Sequence, residues 1–374
     1  MLKESGAPEI SENDLAAVVE SICGGELSGE WSIEPLTSDN STATLGIYRI
    51  SGYALSRTRE SVDWSTVLKI LDAEKDSSGQ REYQMASSAY LHSLSSGVRP
   101  AICYAATERT SSERWIWMED LRGAVQPPWS DSTFLDVARD VGKFNGQSSL
   151  SGPTEEWETT GIAAALEGLG TAQRMGNFET TASDALGSMM FGQSGADAIQ
   201  NVLSKYSQVV DGLAGIAKIV AHGDIHVANM FPIVSNGAHE ETVAIDWAAG
   251  GMGAPGEDAG NLIAVHFRRT AIDVTRFDDF GQAIFDRYLE GLLSINPEVD
   301  VEEARTGFLA GFGFWGLVKL MLIATGPVRN PEGRNRLKKV AGRDPEKLIR
   351  RWGMLVDRTL PYAVECIERL DAEL

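Results

Sequence analysis

The stretch that decides the fold is Ile219-Val-Ala-His222-Gly-Asp224-Ile-His226-Val-Ala-Asn229-Met-Phe231, followed by Thr242-Val-Ala-Ile-Asp246-Trp247. In loops that catalyse phosphoryl transfer, an aspartate accepts the proton of the attacking hydroxyl, while an asparagine five positions later and a second aspartate hold magnesium. Asp224 and Asn229 have this spacing, and Val243 to Asp246 is typical of a strand that ends in the second aspartate. These oxygen-bearing side chains suit magnesium, which prefers oxygen ligands.

These motifs, with Gly253-Ala-Pro-Gly-Glu-Asp258, resemble the aminoglycoside phosphotransferase and choline kinase group of the protein-kinase-like fold. The resemblance covers the chain from about Trp31 to Asp258 and implies an α+β fold with two lobes. Residues 1–118 would form a small, mainly β N-lobe, and residues 119–374 a larger, mainly helical C-lobe with the catalytic loop and acceptor site. The implied activity is that of an ATP-dependent O-phosphotransferase, with Mg²⁺ and ATP, or GTP in its place.

The resemblance assigns a lysine and a glutamate to the N-lobe. The run from Ser65 to Leu71 predicts a strand that carries Lys69, which would hold the α- and β-phosphates. The next helix would carry the glutamate that orients this lysine. Glu82 is the candidate, because Glu74 precedes the predicted start of the helix.

Two further segments are assigned to the nucleotide. Trp115 to Leu121 resembles the hinge that hydrogen-bonds adenine through its backbone, with Met118 and Asp120 among the contacts. The turn from Ser38 to Thr44 would cover the phosphates. This turn contains no glycine, so the hydroxyl of Ser41 and backbone amides would replace a glycine-rich loop.

In the catalytic loop, the resemblance makes Asp224 the base or hydroxyl-orienting group and makes Asn229 and Asp246 the metal ligands. Three further residues near the site are expected to have structural roles: His222, His226 and Asp258.

The charge of the chain bears on its partners. The sequence holds 33 Lys and Arg against 53 Asp and Glu, a formal net charge of −20. Nucleic acid and anionic membranes require a basic face, so neither is expected as a partner. The acidic excess favours a small, polar, amine-bearing hydroxyl acceptor such as an aminoglycoside, amino sugar or amino alcohol. The candidate carboxylates for such an amine are Glu155, Glu156, Glu158, Asp278, Asp279 and Asp286.

A basic stretch over residues 329–351 leaves a second acceptor open, a Ser or Thr hydroxyl of a peptide natural product. A binding module with the same fold but without turnover is a further alternative, although no metal-binding residue of the motif is missing.

Two decoys, short patterns that resemble the motifs of other protein classes, concern other chemistries. His222, Asp224 and His226 could mimic a metal-dependent hydrolase. The glycines of Gly251-Met-Gly-Ala-Pro-Gly256, with Asp273, match a dinucleotide fingerprint.

Compartment is suggested by three features. Cys23, Cys103 and Cys366 lie far apart without metal-ligand spacing, which favours reduced thiols. The first residues lack the apolar run of a signal peptide. The run from Gly307 to Gly326 is apolar except for Lys319, and its central charge and glycines predict a buried core helix rather than a membrane span. A cytoplasmic protein is expected.

Overall fold

The computed structural model describes residues 8–36, 43–74, 77–153, 157, 161–168, 185–269, 271–329 and 345–372. Contacts within the chain divide it into two units. The first comprises Met1–Ser93, Arg99–Val125 and Ile233–Ala249, and the second comprises Leu94–Val98, Gln126–Pro232 and Gly250–Leu374. The segment 233–249, which carries Asp246, thus belongs to the first unit although it follows the predicted lobe boundary at residue 118.

The first unit is built on an antiparallel sheet of five strands. The strands of the N-terminal third of the chain are β1 (Glu26–Leu36), β2 (Thr44–Leu55), β3 (Ser61–Asp72), β4 (Val98–Pro100), β5 (Cys103–Glu108) and β6 (Glu113–Glu119). The order across the sheet is β1-β2-β3-β6-β5. The helices of this region are α1 (Glu12–Cys23), α2 (Ser77–Ser87) and α3 (Ala89–Ser93).

Helix α1 packs on this sheet and was not among the elements expected from the sequence, which predicts mainly strands here. Its start is a capping box: the Ser11 hydroxyl accepts from the Asp14 N–H, and the Asp14 carboxylate accepts from the Ser11 N–H. Its end is Gly24, in the left-handed conformation at φ 63°. The apolar face of α1 joins a core of residues from α1, β2, β3 and β6: Leu15, Val18, Val19, Ile50, Trp64, Leu68, Ile70 and Trp117.

The remaining elements follow in chain order. The helices are α4 (Asp131–Leu150), α5 (Gly161–Gly168), α6 (Ala185–Ser188), α7 (Gly195–Leu203), α8 (Tyr206–Gly215), α9 (Glu257–Arg268), α10 (Phe277–Ile295), α11 (Val301–Leu309), α12 (Gly316–Arg329) and α13 (Pro345–Ala372). The strands are β7 (Ile219–Ala221), β8 (Met230–Ser235), β9 (Ala238–Ala244) and β10 (Gly251–Gly253). Short 3₁₀ turns cover Met189–Phe191, Trp247–Ala249 and Val274–Arg276.

The core of the second unit is helical and rich in aromatic side chains. Phe277 of α10 stacks on Phe312 with ring centroids 4.3 Å apart, and Phe308 packs 5.3 Å from Phe312. The segment Ala310–Trp315, which joins α11 to α12, is a π-helix. A side chain at Gly311 would clash with the backbone oxygen of Glu257, so glycine there lets this helix approach α9 closely.

The predicted core helix over residues 307–326 is therefore present, but as α11, a π turn and α12 in succession. Its described residues from Gly307 to Gly316 are all buried. Within the described part of the chain, no helix combines the length and apolar character needed to cross a bilayer.

Candidate active site

Lys69 is the centre of a buried ionic cluster in the first unit. It lies on β3, opposite Ile47 of β2 and Ile116 of β6, and only 6% of its surface is exposed. Its Nζ atom donates to Glu82 Oε1 of α2 at 2.5 Å and to Asp246 Oδ1 at 3.0 Å. The structure thus brings together three residues that are far apart in the chain.

The charges of this cluster depend on one another. Burial lowers the pKa of Lys69, but the charges of Glu82 and Asp246 outweigh it and hold the pKa of the ammonium above its usual value. Burial and the charge of Asp246 raise the pKa of Glu82 to about 7, although the charge of Lys69 opposes the shift. Lys69 is therefore a fixed cation between two carboxylates.

Asp246 has a backbone conformation that is uncommon for residues other than glycine. Its φ is 62°, in the left-handed region that aspartate tolerates better than most residues. The 3₁₀ turn after it is held by Arg81 of α2, whose Nη1 donates to the Ala248 carbonyl at 3.3 Å. Such conformations persist where the surrounding contacts fix them, and they concentrate at functional sites.

The predicted hinge follows β6. The Met118 carbonyl accepts from the Thr66 hydroxyl at 2.8 Å, and the Glu119 N–H donates to the Ile102 carbonyl at 2.9 Å. The Asp120 carboxylate accepts from Ser65 Oγ at 2.5 Å, and it also accepts from Arg49 and Arg122. Asp120 is therefore tied to β2 and β3 through its side chain, which fixes the course of the backbone after β6.

Two other predicted nucleotide-site residues have different outcomes. Ser41 lies outside the described residues. Glu74 is exposed, and its N–H donates to the Asp72 carboxylate at 3.1 Å, so Glu82 rather than Glu74 contacts Lys69.

In the second unit, Asp258 holds the start of the candidate catalytic loop. This buried residue, in the first turn of α9, accepts from the His222 N–H at 2.6 Å and from the Gly223 N–H at 2.9 Å. Gly223 has φ 78°, a conformation in which glycine carries no steric penalty. Both carboxylate oxygens of Asp258 are thus used on the loop backbone.

The side chains of the loop are ordered by its own backbone. Asn229 is buried, and its Nδ2 donates to the Asp224 carbonyl at 2.9 Å. His226 accepts the Ala228 N–H on Nδ1 at 3.1 Å, which places its proton on Nε2, 3.6 Å from Asp224 Oδ2. The Asp224 side chain keeps 54% of its surface exposed. The loop therefore presents a half-exposed carboxylate to solvent, on a backbone that its own side chains order.

Electrostatics keep Asp224 ionised. Desolvation by the surrounding protein raises its pKa, but the hydrogen bond and charge of His226 and the charges of His222 and Lys319 bring the pKa below the usual aspartate value. The charge of Arg268 also interacts with Asp224. Neither Lys319 nor Arg268 is part of a motif in the sequence. The signal for Lys319 was its isolation as a charge in an apolar run.

The geometry argues against both decoys. His222 and His226 each use Nδ1 to accept a backbone N–H, from Asp224 at 3.3 Å and from Ala228. Among the residues with described positions, no three His, Cys, Asp or Glu side chains cluster as a metal site. Gly251 and Gly253 lie in strand β10, where Met252 pairs with Val220, and not in a phosphate-binding turn.

Asn229 of the second unit and Asp246 of the first each keep an oxygen that suits magnesium. Asn229 directs its Nδ2 into the loop, which leaves its amide oxygen as the ligand end, and Asp246 contributes a carboxylate with 37% of its side chain exposed. Magnesium is usually held by one or two protein oxygens together with phosphate oxygens and water. Either residue could therefore serve as a magnesium ligand without a cage of three acidic or histidine side chains.

Most of the candidate carboxylates for the acceptor amine either bond to other side chains or lie outside the described residues. Asp278 pairs with Arg358 at 2.7 Å and accepts from the Tyr362 hydroxyl at 3.1 Å, while Asp286 accepts from Gln282 at 2.7 Å. Two arginines of the basic stretch have partners too: Arg350 pairs with Glu346 at 2.7 Å, and Arg351 donates to the Ile272 carbonyl at 2.6 Å. Glu155, Glu156, Glu158 and residues 330–344 lie outside the described residues.

Comparisons with known proteins identify the fold. No protein-family model and no curated protein sequence matches the chain. Among solved structures, an aminoglycoside phosphotransferase from Alicyclobacillus acidocaldarius is similar at a TM-score of 0.52 and 11% identity, over 95% of this chain and 97% of that one. An amicoumacin kinase in complex with AMP-PNP and Ca²⁺ is similar at a TM-score of 0.48 and 14% identity, over 85% and 87% of the two chains. An aminoglycoside phosphotransferase from Streptomyces rimosus, in complex with ADP and streptomycin, is similar at a TM-score of 0.46 and 12% identity, over 84% of this chain and 99% of that one.

The predicted fold class is thereby confirmed, at a level of sequence identity that speaks to the fold alone. The chain has the two-lobe, protein-kinase-like α+β fold of the aminoglycoside phosphotransferases.

Proposed function

We propose that this protein is a magnesium-dependent phosphotransferase that moves the γ-phosphoryl group of ATP or GTP to a hydroxyl of a small polar acceptor. The observation that carries the proposal is Lys69 Nζ in contact with both Glu82 and Asp246. A lysine held in this way by a helix glutamate, beside a metal-binding aspartate, is the phosphate-holding arrangement of kinases. The fold shared with an aminoglycoside phosphotransferase agrees with this role.

In the proposed reaction, the acceptor hydroxyl oxygen forms a bond to the γ-phosphorus while the bond from that phosphorus to the β–γ bridging oxygen breaks. ADP or GDP leaves, and the hydroxyl proton passes to a carboxylate oxygen of Asp224. The depressed pKa of Asp224 keeps it ionised and ready to orient the hydroxyl. Most of the rate enhancement in such reactions comes from positioning and from charge stabilisation.

Asn229 and Asp246 would hold the metal. Bound magnesium would neutralise charge on the phosphate oxygens. Lys69 would hold the phosphates, with Glu82 positioning it, and the backbone from Met118 to Asp120 would receive the base. Ser41 stays a predicted phosphate contact, and the amine-bearing acceptor stays a prediction from the acidic charge of the chain.

The test is phosphoryl transfer to a panel of acceptors. Purified protein would be incubated with Mg-ATP or Mg-GTP and with aminoglycosides, amino sugars, amino alcohols, hydroxy acids and Ser/Thr peptides. Nucleoside diphosphate release would be followed, and each acceptor checked by mass spectrometry for one added phosphoryl group. We expect transfer that depends on magnesium and is lost in Asp224→Asn.

Two outcomes would contradict the proposal in different ways. Tight nucleotide binding with no transfer to any acceptor would indicate a binding module without turnover. Absence of nucleotide binding, with hydrolysis of test esters that depends on zinc, would indicate a hydrolase instead.

A further inference from the structure

Lys319 is placed where a lysine is costly. It is the single charged residue in the run from Gly307 to Gly326, and it lies on α12 one helical turn after Trp315. Its Nζ lies 4.5 Å from the centre of the Trp315 ring, a cation–π contact. Lys319 is half-buried, and a lysine in such apolar surroundings usually has a charged partner or a function. The position therefore calls for a partner of negative charge.

Arg268, the last residue of α9, is a second cation of this kind. Its Nη1 atom is buried and has no hydrogen-bond partner among the described residues. Burial and the neighbouring Arg269 lower the pKa of Arg268 to about 10, and burial and Arg268 lower the pKa of Lys319. Arg268 thus stays charged at neutral pH. A buried guanidinium nitrogen without an acceptor is unfavourable, because it has lost its hydrogen bonds to water and has no replacement for them.

Both cations act on Asp224, but neither is joined to it. Their charges interact with the Asp224 carboxylate at a distance. Within 4 Å, this carboxylate makes its ion-pair contact with His226. In the described part of the chain, neither Arg268 nor Lys319 forms an ion pair with any carboxylate. Two cations therefore stand near one carboxylate without being neutralised by contact.

We propose that Lys319 and Arg268 form an acceptor subsite for an anionic group, a carboxylate or a phosphate, next to the hydroxyl that Asp224 orients. The proposal rests on the proposed function and adds the substrate class. The cations belong to the second unit together with Asp224, whereas Lys69, which would serve the nucleotide phosphates, belongs to the first. An arginine offers two parallel donors to a carboxylate or phosphate, and a lysine adds a point charge. An acceptor with both an amine and an anionic group fits this subsite and the acidic chain.

The first experiment uses inorganic sulfate as the probe and needs no knowledge of the acceptor. Sulfate binding would be measured by calorimetry in a Lys69→Met background, which removes the phosphate-holding lysine. We expect binding to weaken at least about tenfold when Lys319→Met or Arg268→Met is added, because each removes a charge-assisted hydrogen bond. Lys205→Met and Arg350→Met are matched controls at exposed positions and should leave binding unchanged.

Two further variants sharpen this experiment. Asp224→Asn removes the nearby negative charge and should strengthen sulfate binding. Lys319→Arg keeps the positive charge and should restore binding, which separates loss of charge from misfolding. Equal sulfate binding in Lys319→Met, Arg268→Met and the controls, or no sulfate binding to the starting protein, would overturn the subsite.

The second experiment separates the subsite from the reaction and identifies the source of the anion. Acceptors would be compared in matched pairs, a hydroxy acid with its amide and a phosphorylated diol with the free diol, by diphosphate release. We expect the anionic member of one pair to have a larger kcat/KM by about tenfold or more, and Lys319→Met to remove this preference through KM. Equal use of both members would overturn the subsite and leave the phosphotransferase proposal intact. Sulfate binding as expected, with no transfer to any acceptor, would count against phosphotransfer and not against the anion site.

Discussion

The Lys69 cluster of the first unit and the Asp224 loop of the second differ in how their charges are paired. Lys69 is buried between two carboxylates, so each charge has a partner within 3.0 Å. Around Asp224, hydrogen bonds from the backbone to Asp258 and from Asn229 to the backbone fix the loop, while the charges of Lys319 and Arg268 act at longer range. The charges of the Lys69 cluster are therefore paired without a ligand. The Asp224 loop has a fixed backbone, but the two cations near it form no ion pair within the described part of the chain. Variants of the two regions should therefore fail in different ways.

The largest effect is expected at the loop carboxylate. Asp224→Asn should lower the rate of the chemical step by about 10²- to 10⁴-fold, the usual contribution of a positioned base, and leave nucleotide affinity nearly unchanged. Single-turnover kinetics and calorimetry with nucleotide would measure the two quantities. Asp211→Asn, an exposed position on α8, is the matched control. An equal loss of nucleotide binding would show that Asp224 does not act on the acceptor side.

The complementary change in the first unit is Asp246→Ala. It should weaken magnesium-dependent nucleotide binding by about 10- to 100-fold, because a charge-assisted contact is lost and Lys69 keeps a single carboxylate partner. Calorimetry with and without magnesium decides the matter, with Asp63→Asn on β3 as an exposed control. If the dependence on magnesium were the same in the variant, Asp246 would not be a metal ligand.

A smaller effect is expected at the residue that anchors the loop. Asp258→Asn replaces one of two accepting oxygens by a donor that faces a backbone N–H, so the free energy of unfolding should fall by about 1–3 kcal/mol. The same change should lower kcat more than it raises the KM for nucleotide, because the loop belongs to the acceptor side. Chemical denaturation and steady-state kinetics would test both. A variant with normal stability and a raised nucleotide KM would argue that Asp258 acts elsewhere.

The smallest effect concerns pH and a buried histidine of the second unit. Burial lowers the pKa of His266 to about 4, and its Nδ1 bonds to the Leu262 carbonyl at 2.6 Å. The unfolded chain, with a histidine pKa near 6.5, binds more protons between these values, so stability is lost as pH falls from about 6.5 toward 4. Between pH 6 and 5 this residue should account for about 1 kcal/mol of that loss.

His266→Phe provides the measurement, because it removes the titrating group and keeps an aromatic ring beside Trp129 and Phe134. Unfolding by urea at several pH values should show a flatter acid slope in the variant than in the starting protein. Identical slopes would mean that His266 titrates normally in the folded state.

Sequence reasoning reached the parts of this molecule that follow from local pattern. The spacing of Asp224 and Asn229, the strand with Lys69 and the helix with Glu82 are all legible in the chain, because each depends on a motif or a period. The contact of Lys69 with Glu82 followed from a resemblance, not from the residues themselves.

What the sequence did not show depends on contacts between distant segments. Helix α1 is an exception, because its cap at Ser11 and Asp14 is a local pattern that the prediction of mainly strands for this region left out. No local sequence pattern predicts the left-handed backbone conformation of Asp246. Arg268 looks like an ordinary C-terminal helix cation, and its buried Nη1 emerges only from packing.

The π turn over Ala310–Trp315 affects how this chain can be aligned with others. A π turn holds one residue more than an α turn, and each residue of an α-helix advances the side chain by about 100°. Deleting one residue from this turn would restore a continuous α-helix and leave Lys319 and the later side chains on the same face, because the π turn already accommodates the extra residue. A relative without the extra residue therefore needs a one-residue gap between positions 310 and 315. In an alignment that omits the gap, a lysine in the column of Lys319 points in a different direction from this one.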